Sequence, residues 1–83
     1  MAVTSGQLRA ARSMLGLSQP DVAARARIST MTLKRAEGSG GVDRPRPTEA
    51  TIRRIAAALE KAGVIFIEGN GEGPGVRLRK RRR

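Results

Sequence analysis

The chain has no cysteine, histidine, tryptophan or tyrosine, and its one aromatic residue is a phenylalanine. Without thiols or imidazoles there can be no disulfide, no thiolate or imidazole metal ligand and no cysteine nucleophile. That composition suits a reducing interior and predicts a cytoplasmic protein. The seven carboxylates are scattered and assemble no acid–base pair or metal cluster, so an enzyme is not expected, nor is a cofactor or a bound metal. One aromatic side chain offers no platform on which unpaired bases could stack. If the partner is a nucleic acid, it is therefore expected to be a duplex. No apolar run approaches the length needed to span a bilayer, and the opening MAVTSGQLRAARS lacks the basic-then-apolar pattern of a secretion signal. Neither a membrane location nor secretion is expected.

What the chain has in excess is positive charge: 17 Lys and Arg against 7 Asp and Glu, a formal +10 over 83 residues. A polyanionic partner follows from that imbalance. Six of the 17 cations lie between Arg77 and Arg83, and without them eleven positive charges against seven negative leave +4 for residues 1–76. The body stays basic, so the tail does not account for the whole signal. A chain of this length supports one small domain that hides a modest share of its surface, and a partner subunit would help it.

Periodicity and capping residues divide the chain into short helices. Leu8, Ala11 and Leu15 share a face over Ser5 to Leu15, and Gly16 stops that helix. Ser18 caps a second helix over Gln19 to Ala26, with Pro20 in the first turn, where its missing N–H is harmless, and Asp21 closing a capping box. Val22, Ala23 and Ala26 give it a narrow inner face. After a turn at Arg27 and Ile28, Ser29 caps a third helix whose inward residues are Leu33 and Ala36 and which closes at Gly38. GSGGVDRPRP, residues 38–47, reads as a loop. Thr48 caps a fourth helix with Ile52, Ile55, Ala56 and Leu59 on one face, ended by Gly63. VIFIE, the turn-rich GNGEGPG and VRLRK then spell a β-hairpin. GNGEGPG precedes a strand rather than a helix, so it lacks the setting of a phosphate-cradling loop.

Two short capped helices joined by a tight turn are what a helix-turn-helix requires. The stretch LSQPDVAARARISTMTLKRAEGS resembles the Cro/CI/Xre family of phage-repressor-like regulators, a likeness extending over roughly residues 6 to 60. It rests on small Ala23 at the helix crossing, aliphatic Ile28 and Leu33, and Glu37-Gly38 at the end of the third helix. One position departs: where the family has glycine in the turn this chain has Arg27. That implies either about 1 kcal/mol of left-handed strain or a differently built turn. The resemblance implies a mainly α fold, a four-helix repressor-like helix-turn-helix domain over residues 1–63, with residues 30–37 entering the major groove.

With Leu33 and Ala36 facing inward, Thr30, Met31, Lys34 and Arg35 occupy the outward arc of that helix. Thr30, Met31 and Arg35 match positions from which relatives read base edges. Arg35 suits a bidentate contact to guanine, Thr30 a hydrogen bond, and Met31 an apolar contact to a thymine methyl. Contacts to DNA phosphates are assigned by the same resemblance to Gln19, Ser29, Thr32, Arg44 and Arg46, and they set register without reading sequence. For Thr32 a partly buried packing role is an alternative, and for the two arginines an ordinary solubilising loop. The resemblance further implies a structural ion pair between Arg12 and Glu37, fixing the angle between two helices.

Where many relatives continue into another helix or a sensor domain, this chain has a hairpin, residues 64–80, followed by a basic tail, residues 81–83. An isolated two-stranded hairpin is marginal in water. We expect two copies to join theirs into a four-stranded sheet through Val64, Ile65, Phe66, Ile67, Val76 and Leu78. The competing arrangement covers both faces within one subunit with the fourth helix. The tail would lie on flanking phosphates or remain a solvated end.

Together these readings predict a homodimeric, sequence-specific binder of double-stranded DNA, bacterial or phage and nucleoid-associated, with reading helices roughly 34 Å apart on an inverted repeat. Repression is implied by the resemblance alone. The rival reading is an antitoxin or anti-activator that binds a protein partner through the hairpin; a third is a nucleoid protein without sequence preference.

Overall fold

The computed structural model describes residues 2–38, 45–69 and 71–79. Its elements are α1 (Ser5–Leu15), α2 (Gln19–Ala26), α3 (Thr30–Ala36), α4 (Glu49–Ala62), β1 (Val64–Ile67) and β2 (Gly75–Leu78). The result is a small, mainly helical fold of four helices and one antiparallel hairpin. None of the described helices is long and apolar enough to cross a membrane.

Each helix begins on a hydroxyl cap. Thr4 Oγ1 accepts the Gln7 N–H at 3.1 Å while Gln7 Oε1 accepts the Thr4 N–H at 2.9 Å, a complete capping box at the start of α1. Ser18 and Asp21 make the same exchange on α2 at 3.2 and 3.1 Å. Ser29 and Thr48 cap α3 and α4 through the Thr32 and Thr51 N–H groups.

The C-termini of α1 and α2 close in the same way despite different residues. After α1, Gly16 is left-handed at φ 69°, and the N–H groups of Gly16 and Leu17 return to Ser13 and Arg12 carbonyls. After α2, Arg27 takes φ 59°, ψ 49°, and the N–H groups of Arg27 and Ile28 return to Ala24 and Ala23 carbonyls. Both are Schellman closures. Arg27 is the one non-glycine residue at positive φ among the described residues. Of the two ways open for the α2–α3 turn, the chain therefore takes the left-handed one, with arginine where glycine is the unstrained choice.

The core gathers one face of every element. Leu8 of α1, Val22 of α2, Leu33 of α3, Ile55 of α4 and Val64 of β1 are fully enclosed, and buried alanines at 11, 23, 36 and 56 let the helix axes approach closely. β1 runs beside α4 and α1, and β2 lies mainly against α1. The hairpin is thus continuous with the helical core rather than a separate unit. Its register pairs Val64 with Leu78, Ile65 with Arg77, Phe66 with Val76 and Ile67 with Gly75.

Alternation sorts the hairpin side chains. Val64 and Phe66 point into the chain's own core at 0% and 8% exposure, with Val76 partly buried against it. On the other face Ile67 stands exposed and Ile65 is half-buried, while Leu78, paired with Val64 and so on the inward side, is exposed at the end of β2. Of the six residues expected to meet a second subunit, Val64 and Phe66 are therefore committed within one chain. Cover for the inner face comes from α1 as well as α4.

One contact pins the hairpin to the helices. Gln7, only 3% exposed, donates from Nε2 to the carbonyls of both Ile67 and Gly75, at 3.1 and 2.9 Å. These residues face each other across the register, so one side-chain amide spans the two strands near their turn.

Candidate nucleic-acid interface

The segment from Ser18 to Glu37 is held by a polar cluster centred on Glu37. Its side chain is 1% exposed, and its two oxygens take Arg12 Nε at 2.8 Å and Arg12 Nη2 at 3.0 Å, a bidentate pair. Gln19 Nε2 donates to Glu37 Oε1 at 3.1 Å, Arg12 Nη1 to the Leu17 carbonyl at 3.2 Å, and Arg9 Nη1 to the Glu37 carbonyl. Side chains from α1 and α2 thus converge on the residue that ends α3. The cluster fixes the mutual orientation of three helices, and it withdraws from solvent the only carboxylate between Ser29 and Gly38.

The outward side of α3 is correspondingly free of negative charge. Met31 is 52% exposed, while Thr30, Lys34 and Arg35 are half-buried, and Leu33 and Ala36 face the core. The Arg35 Nε is enclosed without a hydrogen-bond partner among the described residues. A contact by Arg35 to an outside acceptor therefore falls to its two terminal nitrogens. The four residues expected on the arc do share one side of a helix anchored at both ends.

The residues assigned to phosphates are distributed less simply. Ser29 Oγ and Thr32 Oγ1 lie 2.8 Å apart, bonded to each other, and Ser29 Oγ already accepts the Thr32 N–H as the helix cap. Two hydroxyls sharing one hydrogen bond leave a single hydroxyl proton for an outside acceptor, so one of the pair, not both, can donate outward. Gln19 spends one amide proton on Glu37 and keeps the other. Arg46 Nη2 donates to the Val3 carbonyl at 2.8 Å, tying the N-terminal segment to the start of α4. Beside it lies a hollow of about 520 Å³ whose walls include Arg46, Ile52 and Arg53. Arg44 lies outside the described residues.

At the start of α2 the Ser18 backbone N–H, and then its hydroxyl, hold the fully exposed Asp21 carboxyl below its ordinary 3.8, with a smaller contribution from Arg25. Among the described residues no group of three or more potential metal ligands comes together.

Two features have no counterpart in the expectations. Gln7 was legible only as a polar residue on α1, although a Thr-x-x-Gln spacing before an apolar face is a capping-box signal. The second is a basic groove formed by Arg25, Arg27, Arg54 and Lys61 where α2 and α4 meet. Its one sequence signal was arginine at a position where the resemblance calls for glycine.

No family model and no curated protein matches this chain.

Proposed function

We propose that the chain is a sequence-specific duplex-DNA-binding transcriptional regulator of the Cro/CI/Xre kind, a repressor working in the cytoplasm on the nucleoid. It enters the major groove with residues 30–37. The observation that carries this reading is the pairing of two features on one short helix. Thr30, Met31, Lys34 and Arg35 lie along its outward arc, and its one carboxylate is drawn inside by Arg12. A helix offering donors, an apolar tip and no exposed acid matches the acceptor-rich edge of guanine and the thymine methyl. Gln19, the Ser29–Thr32 pair and Arg46 each retain a donor for flanking phosphates.

Two copies acting together on an inverted repeat follow from the hairpin. Ile67 and Leu78 are 42% and 51% exposed, and among the described residues β1 and β2 form a two-stranded sheet. A second hairpin alongside would extend it to four and pair an open strand edge next to those side chains. The same exposed pair supports the rival reading, an antitoxin or anti-activator whose hairpin holds a different protein. Nothing in the site calls for catalysis, and we propose no enzymatic role.

Footprinting on the DNA flanking its own gene, with the wild type and with Arg35→Ala, tests the reading. The expected result is a protected inverted repeat that the variant no longer prefers over unrelated duplex. The loss corresponds to about 1–3 kcal/mol per half-site, or roughly 5- to 150-fold. Equal affinity of the wild type for all duplexes would leave only a non-specific nucleoid role, and a variant impaired solely in binding a protein partner would favour the rival.

A further inference from the structure

The C-terminal end of α2 and the exposed side of α4 border a shallow, open groove of about 260 Å³. It is lined by Arg25, Arg27, Arg54 and Lys61 together with Ala57 and Ala58, and among the described residues no carboxylate lines it. None of the four cations forms an ion pair among the described residues, although Arg25 lies within electrostatic reach of Asp21. Arg54 Nη2 donates to the Arg27 carbonyl at 3.3 Å, which draws two of the like charges together.

Two unfavourable features coincide here. Four cations share one concave surface, where they repel each other. In addition, the residue that brings one of them is held left-handed at φ 59°, where glycine would sit without strain. Helix C-termini favour cations, which accounts for Arg25 and Lys61 in the last turns of α2 and α4. It does not account for a side chain at a position that glycine would occupy more comfortably. An anion in the groove would relieve the repulsion, and it would give the arginine side chain a use that offsets the backbone strain.

We propose that this groove binds the DNA sugar-phosphate backbone, as a second, sequence-blind contact beside the reading helix; this rests on the function proposed above. Arg27 precedes the Ser29 cap of α3 by two residues. A helix about 10–12 Å across nearly fills a major groove about 12 Å wide. A long side chain just outside that helix's N-terminus therefore meets a bounding phosphate strand, and the remaining cations continue the track onto α4. An acidic polypeptide is the other polyanion that would fit, but nothing places it next to α3.

The test uses the full chain with two single variants. Arg27→Gly removes the side chain and the strain while keeping the carbonyl that Arg54 uses; Lys61→Gln removes a charge at the α4 side of the groove. Affinity for the preferred duplex and for a mixed-sequence duplex is measured across a salt series, with thermal unfolding followed in parallel. Each variant is expected to weaken both duplexes by the same factor and to lower the slope of log K against log salt by about 1. The unfolding midpoint of Arg27→Gly should hold or rise. Wild-type slopes and affinities in both variants would overturn the groove assignment while leaving the reading helix untouched. Absence of salt-dependent duplex binding by the wild type would overturn the function proposal itself. Poly-glutamate bound by the wild type but not by Arg27→Gly, with DNA slopes unchanged, would reassign the groove to an acidic protein segment and overturn the proposal.

Discussion

Replacing Arg12 by methionine should cost more stability than any single change on the DNA-facing surface. Glu37 is 1% exposed and Arg12 24% exposed, so the partners are not equivalent. Loss of Arg12 leaves an enclosed carboxylate with Gln19 as its remaining side-chain donor, and such an orphaned charge costs about 3–5 kcal/mol. A domain of this size has about 4–12 kcal/mol in all, taking the usual range per residue over 83 residues. Arg12→Met should therefore lose between about a quarter and all of the folding free energy. Glu37→Gln, by contrast, leaves a guanidinium that still reaches water and a side chain of the same shape, at about 1–3 kcal/mol. Replacing both partners, as in Arg12→Met with Glu37→Leu, removes the desolvated charges together and should return stability to within about 1 kcal/mol of the wild type, or above it.

Urea unfolding followed by far-ultraviolet circular dichroism is the suitable assay, since the chain has no tryptophan or tyrosine to report by fluorescence. At a denaturant slope near 1 kcal/mol per molar, Arg12→Met should lower the midpoint by about 3 M or more. An Arg12→Met variant milder than Glu37→Gln, or a double variant no more stable than Arg12→Met alone, would show that no buried charge is orphaned by the loss of Arg12.

Gln7→Ala removes both bonds to the Ile67 and Gly75 carbonyls and half of the capping box. It should cost about 2 kcal/mol, with hydrogen exchange speeding up first at the amides of β1 and β2; uniform loss across the helices would contradict a local staple. The Asp21 carboxyl titrates below its ordinary 3.8 because Ser18 hydrogen-bonds its ionised form. A depressed folded value means that its contribution is complete above the unfolded value and is lost as pH falls through the folded one. A carboxyl-carbon NMR titration should therefore show the Asp21 midpoint rising only part of the way towards 3.8 in Ser18→Ala, which removes the hydroxyl but keeps the larger contribution of the Ser18 backbone N–H, and Asp21→Asn should lose the corresponding acid-side decline in stability. An Asp21 midpoint unmoved by Ser18→Ala would remove the Ser18 hydroxyl as a cause and leave the backbone N–H alone responsible.

The helices were legible because their boundaries are written in local chemistry. Ser18, Ser29 and Thr48 each precede an apolar face, and Gly16 and Gly63 stop what comes before them, so α1, α2 and α4 run over the spans that periodicity assigns. The hairpin was legible from its alternation, but the division of its faces was not. Val64 and Ile67 are equally apolar, and which one turns inward depends on where β1 meets α1 and α4, a tertiary fact. Gln7 was obscure for a related reason. A glutamine on a helix reads as solvated until a sheet 60 residues away in sequence supplies the carbonyls it satisfies. The groove was hidden because its cations come from α2 and α4, which are far apart in the chain.

Glu37 links the stability of the fold to the proposed reading of DNA. Its carboxylate orients Arg12 from α1 and Gln19 from α2, while its carbonyl takes Arg9. A seven-residue helix such as α3 would not hold its shape alone. It needs support at both ends, from the Ser29 cap and from this cluster. The cost of burying the carboxylate then makes sense as geometry rather than as net stability. A hydrophobic replacement would hold the helices together about as well, but it would release the Gln19 amide and loosen the angle between α2 and α3. The double variant that restores folding should therefore bind duplex DNA with its non-specific affinity largely intact and its sequence preference reduced. If it keeps full preference, the cluster serves only stability and the angle is fixed by packing at Ala23 and Leu33.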